Sequence, residues 1–112
     1  MTSLTLAYPP SVNSIWRMGN GRMVLSVEAL QYKQYVLLLC HTLTIPMLRG
    51  EVKITLDFYR PQKSGDLDNR IKIVLDALQG QAYADDKQIV EIHAKRYDDK
   101  ADPRVEVRIE EV

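Results

Sequence analysis

Between Val52 and Tyr59 apolar and polar residues alternate without a break. Val52, Ile54, Leu56 and Phe58 fall on one side; Lys53, Thr55, Asp57 and Tyr59 fall on the other. A period of two belongs to a strand with one buried face. Leu4, Leu6 and Tyr8 alternate in the same way and predict a short first strand, ended by Pro9 and Pro10. Val105, Val107 and Ile109 share one face of a strand expected from Arg104 to Ile109. Another strand is expected from about Gln88 to Tyr97, and "DDKADP" joins these two like a hairpin loop. Asn20-Gly21 suits a tight turn, because both positions favour positive φ, so "WRMGNGRMV" is expected to form a hairpin.

The period lengthens in two places. Leu67, Ile71, Val74, Leu75 and Leu78 fall at helical spacing and predict a helix from about Asp68 to Gln79, with Gly80 as its stop. Ser26 can cap an earlier helix running to about Leu43. That helix begins amphipathic and becomes apolar nearly all round from Val36 to Cys40. Such a segment must be covered on several sides; a sheet covers one, and a partner subunit could cover another. The sum is one α+β domain spanning 1–112, a mixed, mainly antiparallel sheet with two helices packed on one face.

Composition narrows the chemistry. A single cysteine, Cys40, excludes an internal disulfide and a thiolate zinc site, and His41 and His93 show no ligand spacing. No signal peptide or membrane-length apolar run is present, so cytoplasmic residence is the expectation. The net charge of zero argues against nucleic acid as a partner, but its distribution does not. Residues 1–50 carry four bases and one acid, whereas 98–112 carry six acids and three bases. Without that tail, twelve bases stand against nine acids. A divalent ion at clustered aspartates would offset several of those nine.

The clustered aspartates are Asp66 and Asp68, where a loop becomes the second helix, and Asp85 and Asp86 in the turn after it. Lys72 lies one turn beyond Asp68 on the same face. Two readings stay open on spacing alone. In the first, Asp66 caps the helix, Asp68 pairs with Lys72, and Asp85-Asp86 is a turn pair. In the second, three carboxylates converge on Mg²⁺ or Mn²⁺, which lowers the pKa of a bound water, and Lys72 stabilises charge on a scissile phosphate. Convergence requires Asp86 to start a strand beside the end of the one finishing near Tyr59, as antiparallel neighbours would allow. Asp76, four residues beyond Lys72, either orients that lysine or is a solvated charge.

The chain resembles the RusA family of Holliday junction resolvases, homodimeric endonucleases that cut four-way DNA junctions. "YPPSVN" is similar to the family's P-P-S-x-N opening, the helix around Tyr32-Lys33 continues the likeness, and it is sharpest in "DLDNRIKIVLDAL" and "ADDKQIV". The resemblance implies catalytic roles for Asp66, Asp68, Asp86 and Lys72, with the three carboxylates holding Mg²⁺, for which Mn²⁺ substitutes. It further implies a homodimer acting on four-way junction DNA, with each cut leaving a 5′-phosphate and a 3′-hydroxyl.

Two departures stand out. The family's run of arginines before the first aspartate is here "RPQKSG", with only Arg60 and Lys63. The link from "DAL" to "DD" is one residue shorter than in one member of the family. Arg60 and Lys63 are expected phosphate contacts, as are Arg17 and Arg22 on the hairpin. Trp16 either meets an unstacked base or tucks into the core. Asn13 either binds a phosphate or braces its loop. The thin basic cluster leaves a rival reading, a junction-binding homodimer with weak or lost nuclease activity.

Overall fold

The computed structural model describes residues 1–10, 16–19, 22–25, 27–63 and 67–112, with the backbone alone at 16–19 and 22–25. In chain order the elements are β1 (Thr2–Ala7), β2 (Trp16–Gly19), β3 (Arg22–Leu25), α1 (Val27–Thr42), β4 (Val52–Arg60), α2 (Leu67–Leu78), β5 (Ile89–Asp98) and β6 (Arg104–Glu111). A short 3₁₀ turn at Asp86–Gln88 leads into β5. The two helices and a mixed sheet make the α+β fold that the periodicity predicts.

β4 occupies the interior of a four-stranded sheet of order β1-β6-β4-β5. β6 flanks it antiparallel and β5 flanks it parallel, while β1 pairs antiparallel with the outer side of β6. The expected hairpin between the last two strands is therefore not formed, because β4 lies between them. The reason is burial. Val52, Ile54, Leu56 and Phe58 are all 0% exposed, and an inward face that apolar needs neighbours on both sides. The link between β5 and β6 steps past the end of β4, and the Asp99 N–H donates to the Arg60 carbonyl there at 2.9 Å.

Register builds the core in rows. Leu6, Val105 and Phe58 form one; Leu4, Val107 and Leu56 form the next; Ile109 and Ile54 form a third. Tyr32, Val36 and Cys40 of α1 and Ile73, Val74, Ala77 and Leu78 of α2 close over these rows in a single cluster. Each large side chain buried this way contributes about 1.5–3 kcal/mol. The other sheet face is polar, with Tyr59 stacked on Tyr97 at 4.9 Å and the Arg104 guanidinium 3.9 Å from the Tyr59 ring centroid.

Leu37 and Leu38 are 42% and 64% exposed, so among the described residues the apolar stretch of α1 is covered on one side only. β2 and β3 pair from Trp16↔Leu25 to Gly19↔Arg22, as a hairpin requires. Its expected turn, Asn20-Gly21, and the expected cap Ser26 lie outside the described residues. No described helix is long and apolar enough to cross a membrane.

Candidate active site

α2 turns its apolar residues into the core and leaves a polar stripe outside. Asp68, Lys72 and Asp76 follow one another at four-residue steps along it, and all three are exposed. Asp68 sits in the first turn, where the helix dipole favours a carboxylate by about 0.3–1 kcal/mol. Asp66 lies outside the described residues.

The chain leaves α2 through Gly80, whose φ of 86° is the left-handed conformation that ends helices cheaply only at glycine. Tyr83, fully buried, donates its hydroxyl to the Leu75 carbonyl at 2.6 Å and holds the following turn against the helix. Asp85 caps the 3₁₀ turn, accepting from the Lys87 N–H at 2.9 Å. Gln88 completes a capping box. Its Oε1 accepts from the Ala84 and Asp85 N–H groups, both at 2.8 Å. Its Nε2 donates to the carbonyls of Leu48 and Gly50 at 2.9 and 2.8 Å.

Asp86 is presented by this turn, exposed, in an acidic field. Its hydrogen bond with Asp85, some loss of solvation and the charges of Asp85 and Asp76 raise its pKa above the usual carboxylate range. Asp85 moves the other way, held low chiefly by the Lys87 N–H. Extra negative potential at a carboxylate that resists ionising is a setting that favours a bound cation.

The position of Asp86 differs from the sequence expectation. β5 runs parallel to β4, with Ile89 opposite Val52 and Tyr97 opposite Tyr59. Asp86 therefore lies near the start of β4, not beside its end. A parallel pair needs a crossover, and α2 is that crossover, running back from the end of β4 to the start of β5. Asp68 is thus at one end of α2 and Asp86 beside the other. The eight residues from Asp68 to Asp76 alone span about 12 Å at the helical rise. Among the described residues no three histidine, cysteine, aspartate or glutamate side chains form a metal-holding group.

Basic groups gather where α2 begins. Arg60, the last residue of β4, donates through Nε to Asp98 Oδ1. That bond, together with the charges of Arg60, Lys63 and Arg96, holds the Asp98 carboxyl below its usual range. Arg96 was not singled out from the sequence, nor was Arg70. Arg70 donates to the Pro9 carbonyl at 2.7 Å and stands 5.1 Å from the Tyr8 ring centroid. It ties "YPP" to α2. Asn13 lies outside the described residues, and Arg17 and Arg22 are described by backbone only.

Comparison with known proteins bears on the same residues. A family model described as Endodeoxyribonuclease RusA matches residues 7–110. A protein of Escherichia coli (strain K12) named crossover junction endodeoxyribonuclease RusA is 31% identical, covering 98% of this chain and 94% of its own. One of the same name from Enterobacteria phage 82 is 30% identical over 97% of this chain and 93% of its own. A Bacillus subtilis protein, YqaN, described as uncharacterized, is 43% identical over 53 residues, 47% of this chain.

Proposed function

We propose, from the premise that the chain belongs to the RusA family of endodeoxyribonucleases, that it resolves four-way (Holliday) DNA junctions by paired phosphodiester hydrolysis. The observation that carries this reading is the match of the family model across residues 7–110, including Asp66, Asp68, Lys72 and Asp86. Two relatives matched over nearly their whole length are named for crossover junctions.

In each cut, water adds to phosphorus and the 3′ oxygen leaves, giving a 5′-phosphate and a 3′-hydroxyl. Lys72, exposed one turn from Asp68, supplies positive charge to the phosphoryl oxygens as negative charge builds on them. Arg60 and Lys63 stand where α2 begins and contact flanking phosphates. Asn13, Arg17 and Arg22 extend this contact surface. Two cuts on a junction of near two-fold symmetry require two equivalent sites, which a C2 homodimer provides.

The cofactor of this reading is Mg²⁺, with Mn²⁺ substituting, and its ligands are Asp66, Asp68 and Asp86. Carboxylate oxygens are the donors a hard cation takes. The full set does not fit within one chain, because Asp68 and Asp86 lie toward opposite ends of α2.

A synthetic four-way junction with labelled strands tests the proposal. Incubation with Mg²⁺ is expected to give symmetric nicks in opposing strands, ligatable products and no cleavage in EDTA. Tight junction binding without nicks under any divalent ion would replace the enzyme with the junction-binding reading.

A further inference from the structure

We propose that the polar face of the sheet, on the side away from both helices, binds single-stranded DNA. Tyr97 is the platform on which an unpaired base stacks, and Lys95 and Arg108 contact the phosphates. This surface stands apart from the nuclease reading, which places its chemistry on α2 and the turn after it.

Strand register sets the side chains of this face in rows. Arg104, Tyr59 and Tyr97 lie side by side across β6, β4 and β5. From the β6 side the Arg104 guanidinium stands 3.9 Å from the Tyr59 ring centroid. From the β5 side Tyr97 stacks on Tyr59 at 4.9 Å, with the planes 18° apart. Three flat groups thus form a stack that reaches β5 and stops. β5 is an edge strand, with no neighbour on its outer side among the described residues, and Tyr97 is 40% exposed. A nucleic acid base is the kind of flat group that continues such a stack, whatever the sequence, because every base has a π-face. A duplex hides those faces, so the platform selects an unpaired strand.

Cations stand where the phosphates of that strand would pass. Lys95 and Tyr97 share this face of β5, two residues or about 7 Å apart. Lys95 makes no ion pair among the described residues. Further along, Arg108 and His93 flank Thr55. The Arg108 side chain is 54% exposed, and its ion pair with the more sunken Asp57 is long, at 3.9 Å. A depression of about 290 Å³ lies among Lys53, Thr55, His93, Lys95, Tyr97 and Arg108, with Asp57 the one acid lining it among the described residues.

The other acids of this face are engaged or remote. Glu106 accepts from Arg104 at 2.8 Å. Glu91 lies 3.6 Å from Lys53 and 3.2 Å from His93. Glu110 stands opposite Lys53, at the far end of the face from Tyr97. The uncompensated positive charge therefore sits beside the stacking platform, which is the pairing of groups that holds a single strand.

Fluorescence anisotropy tests this. A short fluorescein-labelled oligothymidylate is titrated with the protein in EDTA, so that nothing is cut. Binding is expected, and Tyr97→Ala should weaken it by about 5- to 100-fold, the range for losing one stacked base. Tyr97→Phe should keep it, since the ring and not the hydroxyl does the stacking. Lys95→Ala should weaken binding and flatten its salt dependence by about one phosphate contact. The same oligonucleotide carrying 5-iodouracil should photocrosslink to Tyr97. No binding, a crosslink confined to other segments, or a folded Tyr97→Ala protein that binds as wild type does would overturn the proposal. So would altered sedimentation of Tyr97→Ala with oligonucleotide binding unchanged, which would give this face to a second copy of the chain. Wild-type protein that binds the strand through Tyr97 yet cuts no junction would sustain this proposal and remove the nuclease reading instead.

Discussion

The Tyr83 hydroxyl donates to the Leu75 carbonyl at 2.6 Å, and that same carbonyl also accepts from the Gln79 N–H at 3.1 Å. The turn presenting Asp86 is therefore fastened to the helix presenting Asp68 and Lys72. The fastening is shared with Gln88, whose side chain makes four hydrogen bonds that stitch the same turn to the segment before β4.

Tyr83→Phe removes one partner from a carbonyl that keeps another. The expected loss is about 1 kcal/mol, the net worth of a single hydrogen bond. Gln88→Ala leaves two N–H groups and two carbonyls to find water, and the expected loss is larger, about 2–3 kcal/mol. Urea unfolding should rank them in that order. Gln88→Ala should also slow junction cleavage more than it weakens binding, because it loosens Asp86 without touching a phosphate contact.

Asp68→Asn should abolish cleavage and keep junction binding. The substitution is isosteric, and its structural cost is confined to the first-turn dipole interaction, about 0.3–1 kcal/mol. Removing one negative charge also reduces repulsion of DNA, so the gel-shift midpoint should stay or fall. Full cleavage by a folded Asp68→Asn protein would return this position to ordinary helix capping.

Asp98 holds the Arg60 guanidinium, so a phosphate contact by Arg60 would have to compete with it. Asp98→Asn releases the guanidinium for a phosphate, so junction affinity should rise at low salt. The slope of log K against log salt should steepen by about one contact. Arg60→Ala should do the reverse. Identical salt slopes for wild type and both variants would exclude Arg60 from the DNA surface.

Stability should respond to acid with two opposing signs. Asp98 and Asp99 have lowered pKa values, through hydrogen bonds to Arg60 and to Arg104 respectively. Their contribution is present above the unfolded carboxylate value, about 3.9, and is lost as pH falls through their folded values. Asp86 has a raised pKa, so its ionised form is a liability at neutral pH that protonation relieves. Melting temperature should be nearly level from pH 7 to about 5 and fall below about 4. Asp86→Asn should melt slightly higher than wild type at pH 7 without divalent ions, a difference that calorimetry resolves and that should shrink as pH falls.

Some of this was legible in the chain, for reasons that particular residues show. β4 is bounded where its alternation stops, because each inward residue is fully buried and each outward one is not. α2 is similarly plain, since its apolar positions have only the sheet and α1 to face. Strand order was not legible. Periodicity tells which side of β5 meets the core, but not that it runs parallel to β4, and the link at 99–103 suits a hairpin as well as a step past one strand. The role of Gln88 was within reach, since Asp85 and Gln88 have capping-box spacing. Arg70 was not, because its partner Pro9 lies 61 residues away.

β1 lies against β6 with Thr2 opposite Ile109, so the first and last strands end side by side. Antiparallel partners have Cα atoms about 5 Å apart, and a few glycine and serine residues would bridge the two ends into a closed ring. The chain could then be opened at 100–102, between β5 and β6. Such a permuted chain would keep every strand neighbour while reordering synthesis, so that β6 emerged first and β1 directly after it.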